Sequence, residues 1–286
     1  MPTLRPTRYP FSRLLPIFAV IAFCNHSFGD EFAVELTGSL IQGGLVFGIT
    51  QAGSSVTLDG NDIVVSNDGQ FVIGFGRDET GTRQLSVTSA AGASFRQDLT
   101  VEVRQYAIER VDGLPPSTVT PDPAATARIQ ADARMVATAR LRRDMQAFYA
   151  SGFIWPAYGR ISGVYGSQRV LNGEPRRPHF GLDIAAPKGT SVFAPAAGLI
   201  TLAHPDLYFS GGTMILDHGQ GLSSTFLHLS KILVEAGTFV QQGQLIAEIG
   251  STGRASGAHL DWRMNWLDRR VDPELLLGKM EEASID

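Results

Sequence analysis

Short runs of apolar and β-branched residues, separated by turn residues, dominate the chain on both sides of a proline-rich stretch. In the first half these runs occupy residues 33–36, 45–49, 55–58, 63–65, 71–75 and 99–103, with turn signals at 59–62, 67–69 and 90–92. Short strands at this spacing are typical of a β-sandwich. Residues 30–113 are therefore predicted to form an N-terminal β-sandwich-like domain. It contains no histidine, which argues against a metal or acid–base role.

A proline-rich linker and a helix are predicted to fill residues 114–152. Prolines at 115, 116, 121 and 123 indicate a stiff connector, because proline fixes φ and lacks an amide donor. An alanine-rich stretch with a partial apolar stripe then predicts a helix over residues 124–149. Its arginines favour a solvated face, with an anionic partner as the alternative; they are Arg128, Arg134, Arg140, Arg142 and Arg143.

Residues 153–286 return to the strand pattern. Runs at 192–194, 198–202, 213–216, 223–227, 244–249 and 259–264 are joined by glycine-rich turns at 210–212, 218–221 and 242–243. A largely antiparallel β domain with a cleft across one sheet is expected. The fold class predicted for the whole chain is mainly β.

Composition and charge exclude some classes of function. The 286 residues are 43% hydrophobic and 18% charged, which is enough for one large domain or two ordinary ones. The isoelectric point is about 5.9. Because nucleic-acid-binding proteins usually carry a basic stripe, this acidic balance argues against a nucleic-acid partner.

Residues 1–29 resemble a cleaved export signal. A basic region with Arg5, Arg8 and Arg13 precedes a short apolar core at 14–23, and Ser27 and Gly29 fit a cleavage site. The core is too short to span a bilayer comfortably, so a stable membrane anchor is the less favoured alternative. The only cysteine, Cys24, lies in this segment, and the bulky residue before it disfavours lipid attachment.

Five residues in the C-terminal half form a candidate zinc site. They are His179, Asp183, His228, His259 and Asp261. His259 and Asp261 are two apart in a predicted strand and so share a face. A straight strand would separate His179 from Asp183 by roughly 13 Å, so the chain is expected to curve at Gly181. Catalytic zinc sites keep three protein ligands and a water, which His179, Asp183 and Asp261 would complete, leaving His228 and His259 as acid–base groups.

The blocks around these residues, from about Arg160 to Pro273, resemble the M23 (lysostaphin/LytM-type) zinc peptidases. The similar segments are Gly-Val-Tyr-Gly-Ser-Gln-Arg at 163–169, His-x-x-x-Asp at 179–183, residues 185–194, Asp-His-Gly at 217–219, Leu-His-Leu at 227–229 and residues 250–260. The resemblance implies that His179 and Asp183 bind zinc and that His228 and His259 are catalytic. It also implies hydrolysis of peptide cross-links in peptidoglycan, in the periplasm. The N-terminal domain resembles, more weakly, an extension of some Gram-negative members.

The chain departs from this family at one position and leaves alternatives open. The family's last block has His-x-His, whereas Asp261 replaces its second histidine. Arg254 and Arg263 are candidates to compensate the added negative charge, although salt bridges to surface glutamates are the simpler expectation. Some family members have lost the metal and activate cell-wall amidases, so a degenerate regulator is the alternative function. Residues expected to meet substrate are Tyr165, Asn172, Arg176 and Arg177, while His218, in a glycine turn, is expected to be structural.

Overall fold

The computed structural model describes residues 32–111, 123–171, 173–278 and 280. The predicted export signal, Cys24 and most of the proline-rich linker lie outside the described residues, as does Asn172. No helix within them combines the length and the apolarity needed to cross a membrane. The prediction of a mainly β fold is confirmed, because strands account for most of the ordered elements and α1 (Thr126–Ala139) is their one α-helix.

Two small antiparallel sheets build the N-terminal half. One has the strand order β1-β2-β5 and the other the order β4-β3-β6-β7. The strands are β1 (Glu35–Gly38), β2 (Leu45–Ile49), β3 (Ser55–Leu58), β4 (Asn61–Ile63), β5 (Gln70–Gly74), β6 (Gly81–Thr88) and β7 (Ser94–Val101). Their inward-facing residues, among them Phe71, Leu85 and Leu99, are fully buried. Burial of such residues between two antiparallel sheets is the packing of a β-sandwich.

A ten-stranded sheet forms the C-terminal half and carries the candidate site. Its central order is β17-β14-β15-β16-β19-β12-β9; outside this order, β18 pairs with β16 and β13, and β20 pairs with β19. The strands are β9 (Arg160–Gly163), β12 (Leu182–Ala185), β13 (Ser191–Phe193), β14 (Gly198–Leu207), β15 (Gly211–Asp217), β16 (Leu222–Ile232), β17 (Phe239–Val240), β18 (Leu245–Ile249), β19 (His259–Trp266) and β20 (Arg269–Val271). All described pairings in it are antiparallel, as predicted.

The two halves share contacts across the predicted boundary. A small third sheet pairs β8 (Ile108–Val111) in parallel with β10 (Gln168–Leu171), which also pairs with β11 (Glu174–Pro175). Arg104 forms a 2.7 Å salt bridge with Asp272, whose side chain is only 1% exposed. One buried cluster of hydrophobic residues runs through both halves. The N-terminal sandwich is thus held against the large sheet by an ion pair and a continuous core.

The predicted helix is wrong beyond Ala139. Helix α1 follows a 3₁₀ turn at Pro123–Ala125 and ends at Ala139, ten residues before the predicted end at residue 149. The later backbone bonds to the turn after β15: Gln220 N–H donates to Asp144 O at 2.8 Å, and Phe148 N–H donates to His218 O at 3.0 Å. The predicted apolar stripe does not form a buried face, since Leu141 is 67% exposed.

His218 occupies a fully buried hydrogen-bonded position in this core. Its Nδ1 lies 2.9 Å from Ala197 O, and its Nε2 lies 2.8 Å from Ser224 Oγ. A carbonyl oxygen only accepts, so Nδ1 carries the proton and Nε2 accepts from the Ser224 hydroxyl. That hydroxyl in turn accepts from Trp262 Nε1 at 3.1 Å. The network is complete only when the imidazole is neutral, in agreement with the structural role predicted for this residue.

We expect His218 to make the protein less stable in acid. Burial lowers the pKa of His218 from 6.5 to about 4. The unfolded chain therefore binds more protons between those values, and stability is full above pH 6.5 and lost as the pH falls towards 4, by about 3 kcal/mol. Asp217 acts in the opposite sense, because burial raises its pKa to about 6.

Because the two groups act in opposite senses, the contribution of His218 to the unfolding free energy is measured as the difference between the natural protein and a His218 variant. Urea unfolding at several pH values should be compared between the natural protein and His218→Asn. The variant should be less stable at pH 7 and should lose that part of the pH dependence between 6.5 and 4. An unchanged difference in unfolding free energy across this range would contradict the assignment.

Candidate metal centre

Two neighbouring strands place the two candidate carboxylates side by side. Strands β12 and β19 pair antiparallel, with Asp183 directly opposite Asp261 and Ala185 opposite His259. Directly opposed residues point to the same face of a sheet, with Cβ atoms about 5 Å apart. The hydrogen-bonded register of these strands therefore brings together residues that are 78 positions apart in the chain.

His179 reaches the same point from the segment before β12. Its backbone is fixed at both ends, because its N–H donates to Ser167 O at 2.9 Å and its carbonyl accepts from Gly166 N–H at 2.7 Å. Its Nε2 then lies 3.1 Å from Asp183 Oδ1. One ligand atom from each of His179, Asp183 and Asp261 lies within 4.8 Å of the others. The chain does curve between His179 and Asp183.

Close approach, rather than backbone freedom, explains the glycine between these two residues. A Cβ atom on Gly181 would lie 2.1 Å from Asp261 Oδ1, and one on Gly163 would lie 2.3 Å from Asp183 Oδ2. Gly181 is absent from the described glycines that have positive φ. The chain does bend here, but the prediction that it does so through the backbone freedom of Gly181 is wrong. The residue leaves space for a carboxylate.

Because of this close approach, the variant Gly181→Ala tests the position of the Asp261 carboxylate without removing any polar group from the site. The added methyl group must displace the Asp261 carboxylate, which is itself 2% exposed and has little room to move. We expect zinc affinity to fall by at least about tenfold, the scale of disturbed ligand orientation. Titration of zinc against a competing chelator measures it.

Gly257→Ala is the matched control, because its added Cβ would have no atom within 4 Å. It should bind zinc as the natural protein does, and both variants should keep the natural far-UV circular dichroism. Equal zinc affinity in both variants would mean that Asp261 is not held where the structure has it.

The carboxylate of Asp261 is paired with a guanidinium on its own strand. Arg263 Nε lies 2.9 Å and 3.0 Å from the two carboxylate oxygens, and Nη2 lies 2.5 Å from Oδ2. Of the two arginines expected to compensate Asp261, Arg263 does contact it. Arg254 instead stacks on the Phe209 ring, with its guanidinium carbon 4.7 Å from the ring centroid. The simpler expectation for Arg263, a salt bridge to a surface glutamate, is wrong.

The pair keeps both of its members charged. Burial alone would raise the pKa of Asp261, but the charge and hydrogen bonds of Arg263 outweigh burial and hold this pKa below its ordinary value. Burial would likewise lower the pKa of Arg263, yet Asp261 raises it above the usual value. Asp261 is therefore an anion that contacts the Arg263 guanidinium and also belongs to the candidate metal-binding cluster.

Two imidazoles flank the three candidate ligands. The rings of His228 and His259 lie with centroids 4.7 Å apart. Nδ1 of His228 is 2.8 Å from Thr252 O, and Nδ1 of His259 is 2.9 Å from Gly257 O. Because carbonyls only accept, both Nδ1 atoms carry protons, and in the neutral rings neither Nε2 lone pair is hydrogen-bonded to any residue that the structure describes. Nε2 of His259 is 4.0 Å from Asp183 Oδ1, so it faces the site.

A bulge in β16 directs His228. Between the pairs Met214–Phe226 and Gly212–Leu229, β15 advances by two residues while β16 advances by three. His228 falls in the extra step and has a φ of 64°, in the left-handed region. Bulges of this kind re-aim one side chain without ending the sheet. Burial lowers the pKa of His228 and so favours the neutral ring, and this effect outweighs the hydrogen bond to Thr252, which raises the pKa.

The four residues expected to meet substrate have different positions. Tyr165 is 2% exposed, and its hydroxyl donates to Arg270 O at 2.7 Å. It is therefore a buried residue that holds the backbone of β20. Arg176 and Arg177 are exposed, and Arg177 lines a cavity beside the site. Asn172 lies outside the described residues.

Sequence reasoning missed the arginines that lie beyond Arg263. Arg140 was assigned to a solvated helix face, which is wrong, because its Nη2 donates to Thr225 Oγ1 at 2.8 Å on the large sheet. Arg270 donates to Asn265 Oδ1 at 2.7 Å. One signal was present: Asp261, Arg263 and Asn265 put a polar residue at every second position of an otherwise apolar strand. That alternation predicts a polar groove face.

Residues 177–273 match the family model described as "Peptidase family M23". The C-terminal part of this chain is an M23 domain, as the ordered motifs predicted. A crystal structure assigned to peptidase M23 from Pseudomonas aeruginosa is similar with a TM-score of 0.62 and 28% identity, covering 85% of this chain and 96% of that one. The similarity therefore extends into the N-terminal half.

Curated relatives match over the same C-terminal region. Peptidoglycan DD-endopeptidase ShyA of Vibrio cholerae is 38% identical over 104 residues, which are 32% of this chain and 24% of that protein. DD-carboxypeptidase/endopeptidase Mpg of Neisseria gonorrhoeae is 34% identical over 41% of this chain and 26% of its own length. Lipoprotein NlpD/LppB homolog of Pseudomonas aeruginosa is 34% identical over 43% and 38%, respectively. The chain thus spans well under half the length of these relatives.

Proposed function

We propose that this protein is a zinc-dependent endopeptidase that hydrolyses peptide cross-links of cell-wall peptidoglycan. The observation that carries the proposal is the convergence of His179, Asp183 and Asp261 beneath the His228 and His259 rings. Similarity to ShyA and Mpg, whose names include endopeptidase, supports the reaction class.

The residues present fit a zinc ion. Nε2 of His179 and Oδ1 of Asp183 are buried and only 3.1 Å apart, yet neither atom makes a hydrogen bond among the described residues. Buried polar atoms are rarely left unpaired, and such a pair marks the place of an absent partner. The ligand atoms lie within 4.8 Å of one another, near the separation of about 3.3 Å that tetrahedral zinc requires. Nitrogen and carboxylate oxygen are both ordinary zinc donors.

The Asp261–Arg263 pair resolves the charge problem posed by the missing histidine. One neutral histidine and two aspartates would cancel the charge of Zn²⁺. Arg263 restores one positive charge directly behind Asp261, at 2.5 Å. The assembled site then has the same formal charge as one with two histidines and one aspartate. We infer that the ion pair takes the place of a neutral imidazole electrostatically, so that the acidity of bound water is preserved.

The residues of the chain then have distinct tasks. A zinc ion held there would polarise the scissile carbonyl and make water acidic at neutral pH. His228 and His259 present free Nε2 lone pairs, and one is assigned to accept the proton while the other stabilises charge on the carbonyl oxygen. Thr252 and Gly257 hold the Nδ1 protons, which fixes the tautomers and the ring orientations. The Gly163 and Gly181 positions let the carboxylates approach without a side chain between them.

The cellular setting follows from the same proposal. We assign the activity to the periplasm, which the export signal predicted over residues 1–29 and a cell-wall substrate both support. The acidic chain, with a formal net charge of −4, has no bulk attraction for an anionic wall or for nucleic acid. Recognition of the peptide is therefore assigned to the cleft. An amidase or other cell-wall protein remains the proposed partner class only for the alternative function.

Purified mature protein on isolated peptidoglycan tests the proposal. Chromatography of muropeptides should show loss of cross-linked species and gain of their monomers, chelator should stop the reaction, and zinc should restore it. Measured zinc content should be one ion per chain. A protein that holds no zinc, releases no cross-link and yet switches on a cell-wall amidase would overturn the hydrolase and establish the regulator.

A further inference from the structure

A cavity of about 680 Å³ lies next to the candidate metal centre, between the two halves of the protein. Residues from the loop after β5, the C-terminal end of α1 and the β19–β20 hairpin line it. Its walls contain five arginines and three carboxylates, although the chain as a whole has a net charge of −4. The lining therefore has a formal charge of +2 (five arginines minus three carboxylates) in a chain that is acidic overall.

Four of these five arginines lack an anionic partner among the described residues, and one of the four, Arg143, donates instead to the backbone carbonyls of Arg140 and Arg142. Among the residues that the structure describes, no carboxylate oxygen lies within 4 Å of Arg140, Arg177 or Arg270. Two of the cavity's own carboxylates are already paired with other arginines, Asp78 with Arg77 and Glu79 with Arg83 and Arg269. The third, Asp268, is exposed and makes no ion pair with the cavity arginines. The hydrogen bonds of Arg140 and Arg270 go to neutral oxygens of Thr225 and Asn265.

This arrangement opposes stability, which points to a function. Nε of Arg140 is buried without a hydrogen-bond partner among the described residues. Burial and the charge of Arg263 lower the pKa of Arg140 to about 10. Burial, and then the charges of Arg140, Arg263 and Arg177, lower the pKa of Arg270 to about 9. Uncompensated buried cations destabilise a protein, and natural proteins break packing rules mainly at functional sites.

Two residues that line the cavity, Phe180 and Asn265, connect it along the chain to the candidate metal centre. Phe180, which lines it, directly follows His179. At its far end Asn265 lies four residues along β19 from Asp261, a distance of roughly 13 Å at about 3.3 Å per strand residue. An extended peptide covers the same distance in about four residues. A peptide whose scissile bond lies at the metal centre therefore reaches the arginines three or four residues away.

We propose that Arg140, Arg177 and Arg270 form a subsite that binds a free carboxylate of the peptide substrate. Guanidinium groups suit this ligand, because their forked donors match the two oxygens of a carboxylate. The subsite rests on the proposed function for the identity of its ligand, since cross-linked wall peptides carry carboxylates along the stem as well as at their ends. It makes the enzyme select acidic stem peptides over amidated ones.

Binding of two matched peptides tests the subsite. The probes are a cross-linked stem peptide with free carboxylates and the same peptide with those groups converted to primary amides. Calorimetry uses zinc-loaded protein carrying His228→Ala, so that slow or absent cleavage does not consume the peptide. We expect the acid to bind about tenfold more tightly than the amide, the scale of a charge-assisted hydrogen bond.

Three further variants show which arginines cause the preference for the acid peptide over the amide peptide. Arg140→Gln and Arg270→Gln should each remove most of the preference for the acid and should leave the thermal midpoint unchanged or higher, since each relieves repulsion. Arg134→Gln makes the same charge change on an exposed position of α1 and should keep the preference. A carboxylate that bound the zinc ion instead would give a preference that survives both cavity variants, and that result would overturn the subsite.

The outcomes separate this proposal from the proposed function. Equal affinity for acid and amide, with cross-links still cleaved by the natural protein, would overturn the subsite alone. A clear preference that depends on Arg140 and Arg270, in a protein that never cleaves, would support the subsite and overturn the hydrolase. Lower thermal stability in Arg270→Gln, with equal weakening for both peptides, would make Arg270 structural and would also overturn the subsite.

Discussion

Asp261→Ala is expected to abolish zinc binding and, with it, cleavage of peptidoglycan. The change removes one of three donors whose ligand atoms lie within 4.8 Å of one another. It also leaves Arg263 half-buried without its anion, so that a positive charge faces the place of the metal. Breaking such a pair from one side destabilises a protein by about 3 kcal/mol, so unfolding should also become easier. Zinc content after dialysis and urea unfolding measure the two effects.

Asp261→His gives a sharper form of the same test. The substitution restores the ligand type of the related peptidases, but Arg263 then keeps its charge with no carboxylate beside it. We therefore expect the single variant to bind zinc more weakly than the natural protein. The double variant Asp261→His with Arg263→Gln removes the unpaired cation and should recover zinc binding and activity. Full zinc affinity in the single variant would contradict the assigned role of Arg263.

The chemistry of the site was accessible from the sequence because it depends on residue types in a fixed order. His179, Asp183, His228, His259 and Asp261 were all selected from their spacing and motifs, and the structure brings them into one place. Their roles stay predictions until metal content and activity are measured. The partner of Asp261 could be narrowed only to Arg254 or Arg263. Strand alternation favoured Arg263. The sequence alone, however, does not show whether a surface glutamate lies close enough to Arg263 to pair with it instead.

Strands were predicted best where apolar and β-branched residues fill most positions. The bounds of β2 and β3 agree with the predicted runs at 45–49 and 55–58. Strands β6 and β12 were missed for different reasons. In β6 polar residues occupy most positions, since one face is solvated, and β12 has only four residues beside Gly181 and Pro187. Long-range pairing creates β12, because its partner β19 lies over 70 residues away.

The helix was over-predicted because local propensity was the only guide. Alanines and arginines favour helix throughout residues 124–149, but after Ala139 the chain finds tertiary hydrogen-bond partners near Gly219. The end of this helix is also what brings Arg140 onto the large sheet. Tertiary contact therefore decides both the length of the helix and the composition of the arginine cavity.

His228→Ala is expected to lower the rate of cross-link cleavage by about 10²-fold or more while zinc binding stays normal. The residue lies on β16, apart from the three proposed ligands, and its Nε2 lone pair is free because Thr252 holds the Nδ1 proton. An acid–base group in such a position contributes on this scale. Zinc content and initial rates on isolated peptidoglycan, measured on the same preparation, separate the two roles.

The backbone at His228 calls for a second variant. Its φ of 64° is costly for alanine but tolerated by asparagine, so His228→Asn removes the base without the added strain. If the loss of rate is chemical, both variants should be equally inactive, and asparagine should be the more stable of the two. A protein that regains activity with asparagine would show that alanine acted through the bulge. Loss of zinc in both variants would instead move His228 into the metal's ligand set.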